Sequence, residues 1–444
     1  MTWRINLPSR AILPSLLLFT ALASLPARAS AECTDILTDH FFDGTTEYRG
    51  PVRKVRIRSG RIESITSGGP PREKADECAR RDLRGLLLTP GLIDLHTHLF
   101  IEDRTSGEDF SRELLRIARE PVRRRSQEAR LRALSMLRSG ITSIRDLGNS
   151  GRFLDAALAR EIEARPGAGP RLHFSGPGIA AGEGQFPAGT ALKITSTEYV
   201  FLSSGDQAET TVGELAARGA KLIKVFSDND PNPGKLTGES LSALVRSAHA
   251  RGLRVAGHST DAAGAARAVE AGVDTLEHGY ALNVDTLRLM KERGTFLIPT
   301  DFSREVCESL ARGNPEPLFH PCTRYQTVRG ARLRQARDLG VRIAFGSDMY
   351  YRLPGESGQR GPASLQTLIA YVEEGLTPLE ALRAATSEAA RALGTEDLGA
   401  IRPGALADLA AFAGDPLRDI RDILRPRFVM KGGALVLKRP NREP

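Results

Sequence analysis

After its first thirty residues the sequence contains no apolar run long enough to cross a bilayer, no repeat of solenoid period and no cysteine pair at zinc-knuckle spacing. These absences exclude a polytopic membrane protein, a stacked-repeat scaffold and a zinc-finger module. Strong charge of one sign is missing as well. The formal net charge of +8 falls by three when Arg4, Arg10 and Arg28 leave with the leader described next. The densest basic cluster, Arg123-Arg124-Arg125, sits in a helical stretch and reads as a solvated face, so no nucleic-acid partner is expected. Histidine is scarce, eight in 444 residues, so histidines recurring at equivalent positions carry information.

At the start, Arg4 and Arg10 precede ILPSLLLFTALASLPA, followed by the small-residue sites Ala27-Arg28-Ala29 and Ala29-Ser30-Ala31. This is the pattern of a cleaved signal peptide over 1–31. Glu32 stands where a lipoprotein box would need a small residue before Cys33, and no twin-arginine pair is present. The chain is therefore expected to be exported, periplasmic or secreted, without a stable membrane anchor. Four cysteines, Cys33, Cys78, Cys307 and Cys322, suit two local disulfides in an oxidising compartment, although three pairings are formally open.

Residues 32–88 alternate apolar and polar positions around Asp-Gly and Ser-Gly turns, and 401–444 carries further strand-like runs with a Gly-Gly turn. The two ends are expected to pair as a small composite β-sandwich domain. Between them, over 89–400, short apolar runs alternate with amphipathic helical stretches, several ending at a glycine. Eight strand candidates, LIDLHTH, ITSIRD, RLHFSG, KLIKVFS, RVAGHS, TLEHG, FLIPT and RIAFGSD, predict an α/β fold, a (β/α)8 TIM barrel.

His96 and His98 end the first strand candidate, where alternate side chains share a face. An HxH pair alone is weak, but Lys224 lies near the end of strand four, His258 ends strand five, His278 strand six and Asp348 strand eight. All six would share the barrel rim that carries catalytic groups in this architecture. His40, His249 and His320 read as structural, and His173, mid-strand, as a core histidine.

GLIDLHTH, IKVFSD, GHS, LEHG and GSD, in this order, resemble the motifs of the amidohydrolase superfamily, in particular the branch of imidazolonepropionase-like proteins and prolidase-type dipeptidases. TSEAARALG and LGAIRPGALADL extend the likeness over nearly all of the mature chain. The resemblance implies two divalent metal ions. His96, His98 and Asp348 would hold the more buried one and His258 and His278 the more exposed one. Lys224 would bridge both as a carbamate formed with carbon dioxide, since a protonated amine cannot be a ligand; the alternatives for Lys224 are a barrel lysine paired with Asp228 or Asp230, or a substrate-binding cation. Zinc suits imidazole and carboxylate-type donors, with manganese, cobalt and iron as other candidates. The implied mechanism is attack of metal-activated hydroxide on an amide or peptide carbonyl, with Asp348 moving the proton. The glycine-rich SGPGIAAGEGQF resembles the substrate-flanking loop of the dipeptidases.

The expected substrate is a dipeptide or N-acyl amino acid, and Tyr280, Arg145, Arg352 and Arg360 are the candidates for its carboxylate. A deaminase or cyclic-amide hydrolase, or an esterase, lactonase or phosphotriesterase, would use the same fold, and a non-catalytic binding protein would usually lack part of the ligand set. Homo-oligomer formation is left open.

Overall fold

The computed structural model describes residues 33–68, 78–103, 109–229, 232–312, 321–353 and 359–440. The leader 1–31, Asp230 and His320 lie outside them. The first strands are β1 (Cys33–Phe42), β2 (Glu47–Arg58), β3 (Arg61–Ser67), β4 (Ala79–Asp82) and β5 (Leu87–Pro90). Ser59 and Gly60 take positive φ, 50° and 78°, which lets a two-residue turn join β2 to β3 with the right-handed twist of the hairpin.

The central strands are β6 (Leu92–Thr97), β7 (Ile141–Asp146), β8 (Arg171–Phe174), β9 (Gly178–Ala180), β10 (Tyr199–Phe201), β11 (Leu222–Phe226), β12 (Arg254–Ser259), β13 (Thr275–His278) and β14 (Phe296–Ile298). They pair in parallel as β6-β7-β8 and as β10-β9-β11-β12-β13-β14. The Lys221 amide donates to the Phe174 carbonyl at 2.8 Å, linking β8 to the start of β11. The eighth strand candidate forms no regular ladder and makes a single bridge, Leu297 with Ile343. It is nonetheless seated between β14 and β6. Ala344 N–H donates to Leu297 O (3.0 Å), Leu95 N–H to Phe345 O (2.9 Å) and Asp348 N–H to His96 O (2.8 Å). Part of the glycine-rich stretch after the third candidate is strand β9 rather than loop throughout, and β10 pairs beside it.

Helices follow as the start and stop residues dictate. Asp261 and Asn283 cap Ala262–Ala271 and Val284–Arg293, and Gly272 and Gly294, at φ 92° and 72°, close them in the left-handed conformation. Along β11, Ile223 and Val225 pack in the core with Leu241, Leu244 and Val255. The alternate residues Lys224 and Phe226 line a cavity at the barrel mouth, as a period of two requires.

The closing strands are β15 (Leu409–Phe412), β16 (Pro426–Lys431) and β17 (Ala434–Lys438). Both ends of the chain meet in one eight-stranded sheet of order β17-β16-β15-β5-β1-β2-β3, with β4 beside β1. The join is antiparallel β5·β15, and its two faces serve two cores. Leu87, Ala410 and Phe412 pack in the barrel core, while Leu88, Leu409 and Ala411 pack with Ile36, Val55 and Phe428. Disulfides join Cys33 to Cys78 and Cys307 to Cys322, which settles the pairing. No helix among the described residues is long and apolar enough to cross a membrane.

Candidate active site

The strand ends gather His96, His98, Lys224, His258, His278 and Asp348 around a single cavity of about 340 Å³. Each is buried. The His96 and His98 rings stand 5.3 Å apart, His96 and His278 4.9 Å, and His258 and His278 4.6 Å. Asp94 Oδ1 accepts from the amides of His96 (3.1 Å) and Ser347 (2.8 Å), tying the HxH strand to the segment that carries Asp348.

Hydrogen bonds on the far side of the rings decide which nitrogens face the cavity. His98 Nδ1 donates to Gly148 O at 3.0 Å and leaves Nε2 with a lone pair, 3.5 Å from Asp348 Oδ1. His96 Nδ1 is bonded to Glu277 Oε2 at 2.8 Å, with Nε2 3.6 Å from the same Asp348 oxygen. His278 Nδ1 pairs with Thr300 Oγ1 at 2.8 Å, and His258 Nε2 stands 3.5 Å from Asp228 Oδ1. His278, Thr300 and Asp348 all have positive φ, 66°, 57° and 47°, a conformation that costs non-glycine residues on the order of 1–3 kcal/mol and clusters at functional sites.

Burial sets the charge states. It lowers all four histidines below their ordinary range, His98 to about 3. It also brings the Lys224 amine down to about 8 and holds the Asp348 carboxyl well above the usual carboxylate range. Lys224 has no ion pair among the described residues; Asp228, its alternative partner, is bonded instead by Ser259 Oγ (2.5 Å) and the Thr260 amide (3.0 Å).

The donor set fits a divalent cation. Ligand atoms of His96, His98 and Asp348 lie within 4.8 Å of one another, and Asp348 Oδ1 is buried without a hydrogen-bond partner among the described residues. Buried polar atoms are rarely left so, and nitrogen with carboxylate oxygen is a borderline donor set that suits zinc.

The expected carboxylate binders distribute differently. Tyr280 lines the cavity, its hydroxyl 3.2 Å from Thr300 Oγ1. Arg145 does not reach the cavity. It is buried inside the barrel and donates to Leu95 O (2.6 Å), Thr275 Oγ1 (3.0 Å) and Glu277 Oε1 (2.7 Å). Arg352 is bound to Glu102 at 2.8 Å beside the cavity, not in its lining. Arg360 braces the loop after β6 by donating to His98 O and Ile101 O. The cavity cation that sequence reasoning missed is Arg329, on the helix Cys322–Leu339, with its guanidinium carbon 3.5 Å from the centre of the Tyr280 ring and 5.3 Å from that of Tyr325. Its only sequence signal is an i, i+4 Tyr-Arg spacing. His40 and His249 are paired with Glu47 and Asp274, both at 2.8 Å, and His173 is buried with Nε2 unpartnered.

Parallel strands in barrel order, with a lysine, imidazoles and a carboxylate at one rim, define a TIM-barrel-type fold with a candidate metal-binding site. The chain belongs to the amidohydrolase family, whose model matches residues 87–436. It is 30% identical over 388 residues to an ochratoxinase of Aspergillus niger, covering 79% of this chain and 75% of that one. It is 28% identical over 388 residues to an imidazolonepropionase of Paracoccus denitrificans, covering 80% and 86%. A solved Xaa-Pro dipeptidase with bound methionine in its active site superposes with a TM-score of 0.76 at 27% identity, covering 91% and 99%. Membership makes the chain a hydrolase acting on carbon-nitrogen bonds, in a family that is generally metal-dependent.

Proposed function

We propose that this protein is an exported, two-metal hydrolase that cleaves the amide bond of a dipeptide or N-acyl amino acid. The observation that carries the reading is the convergence of His96, His98, Lys224, His258, His278 and Asp348 on one buried cavity, with a cation, Arg329, also in its lining and held, among the described residues, only by a long 3.9 Å contact to Asp301. His96, His98 and Asp348 would hold one ion, His258 and His278 the other, and Lys224, as its carbamate, both. Bound there, two divalent ions would supply an activated water and Lewis acidity toward the scissile carbonyl at neutral pH.

The protein's own groups do the rest. Asp348, held by the backbone bond from its amide to His96 O, takes up a proton and returns it to the leaving amine. Arg329 receives the substrate carboxylate, with Tyr280 fixing the plane of its guanidinium. Seven aromatic rings line the cavity, Phe226, Phe302, Tyr325 and Tyr350 among them, and Asp348 is its only carboxylate among the described residues. These walls favour an apolar or aromatic substrate side chain over a basic one, which would find no counter-charge. Two disulfides and the leader pattern support export to the periplasm or beyond.

A library of dipeptides and N-acyl amino acids assayed with the metal-loaded enzyme tests the proposal. Amino-acid release that stops on chelation and returns with zinc and bicarbonate is the expected result. Release of ammonia alone, or ester turnover far above amide turnover, would move the assignment to a deaminase or an esterase, and a protein that takes up no metal refutes it.

A further inference from the structure

Three of the four cavity histidines differ from His96 in how they are braced. His98 and His278 lean on neutral oxygens of Gly148 and Thr300, and His258 faces Asp228 only at 3.5 Å. His96 alone has a carboxylate at hydrogen-bond distance, Glu277 Oε2 at 2.8 Å. Glu277 lies on β13, one residue before His278, and is wholly buried. Its second oxygen accepts from Arg145 Nη2 at 2.7 Å and from the Thr275 hydroxyl. The same Arg145 guanidinium donates through Nε to Leu95 O at 2.6 Å, on the strand that presents His96.

We infer that Glu277 is the positioning residue for His96, with Arg145 as its counter-charge and as the clamp on its strand. The inference rests on the two-metal reading of the cavity. Glu277 Oε2 can only accept, so it places the ring proton on Nδ1 and leaves the Nε2 lone pair aimed at the cavity. A carboxylate behind an imidazole also makes the ring a better electron donor to a cation and fixes its rotation. Arg145 is what permits that carboxylate there. An isolated charge inside the barrel would be costly, whereas the pair carries no net charge and each of the donors named above is used. A plain internal ion pair explains less, since such pairs contribute little net stability against apolar residues of similar volume, and it gives no reason for the second Glu277 oxygen to meet His96.

The test compares two double variants that both remove the ion pair and differ only in the acceptor: Arg145→Met/Glu277→Gln and Arg145→Met/Glu277→Leu. Gln keeps an oxygen for His96 Nδ1–H and Leu does not. Zinc affinity is read by competition with a chromophoric chelator, and cobalt-substituted protein is read by its visible spectrum. The Leu variant should bind its tighter ion about 10–100-fold more weakly than wild type, with a shifted cobalt spectrum, while the Gln variant stays within a few-fold. Equal affinities and spectra for the two variants overturn the inference. In the metal-free protein, 15N-histidine spectra give an independent reading. One histidine should pass from a fixed Nδ1–H tautomer to exchanging tautomers in the Leu variant alone, and no such change also overturns it. Because that readout needs no metal, it separates failure of the positioning role from failure of the two-metal reading, which wild-type metal content decides. Thermal unfolding of both variants checks that they remain folded.

Discussion

Under the proposed function Arg329 receives the substrate carboxylate. Its nearest described carboxylate, Asp301, lies 3.9 Å away and is already bonded by Arg332, so the guanidinium has donors to spare while it stacks on Tyr280. Its side chain is only 16% exposed, so a charge-assisted bond formed there is partly shielded from water. Such bonds contribute about 1.5–3 kcal/mol, and the middle of that range corresponds to roughly 40-fold in kcat/KM. Arg329→Met keeps much of the stem packed against the tyrosine rings and removes the charge. The assay pairs an N-acyl amino acid with the same compound bearing a carboxamide in place of its carboxylate, each on wild type and variant. The wild type should prefer the acid and the variant should lose that preference, mainly through KM, because the contact is made in the ground state and the transition state alike. If Arg329→Met slows both compounds equally, or leaves the acid preference intact, the carboxylate is bound elsewhere.

Three further outcomes follow from the geometry. Lys224→Ala should lower zinc, measured by mass spectrometry, from about two ions per chain to about one if the lysine bridges a two-metal site; an unchanged content would exclude bridging. Replacing Cys307 and Cys322 by serine opens a loop closed across 15 residues and should cost about 3 kcal/mol by chain entropy, seen as a lower denaturation midpoint that reductant no longer affects at this site. Lys431 is buried, donates to Pro166 O and Gly169 O, and has its amine pushed down to about 8 by burial. Its folded pKa lies below its unfolded one, so the unfolded chain holds the extra proton between about pH 8 and the ordinary lysine value near 10.4. Stability should rise with pH through that window, and urea titrations of Lys431→Met should lack that rise.

Strand identity was legible wherever a short apolar run met a turn residue. LIDLHTH, KLIKVFS, RVAGHS and TLEHG contain β6, β11, β12 and β13. Placement of His96, Lys224, His258 and His278 followed, because a period of two fixes the face and nearness to the strand's C-terminal end fixes the height. The eighth strand was harder to read. RIAFGSD has strand composition, but Gly346 leaves almost no room at its Cβ, which would fall 2.8 Å from His96 Cβ and 2.4 Å from Ile298 Cγ2. Close approach of the segment to β6 and β14 replaces a regular ladder there, a matter of packing that no local pattern encodes. The positive φ values at His278 and Asp348 are equally hidden, since nothing about histidine or aspartate in sequence announces a left-handed backbone.

Arg145 and Arg329 show where the reading stops and why. Arg145 precedes the last residue of β7 and points inward like the histidines, so alternation places it on the correct face. Alternation is silent on depth, however, and the partners that hold Arg145 below the mouth, Thr275 and Glu277, lie 130 and 132 residues away in the chain. Arg329 presents the converse. Its helix is rich in arginine, and solvent-facing and cavity-facing copies look alike in sequence; only the approach of that helix to β13 brings Arg329 over Tyr280. Charge balance is what separates the two roles. Within the barrel interior Arg145 is matched by Glu277, and so belongs to the scaffold beneath the site. Arg329 has only a long 3.9 Å contact to an acid whose other oxygen Arg332 bonds, and it is that weaker pairing which would make it available to a substrate anion.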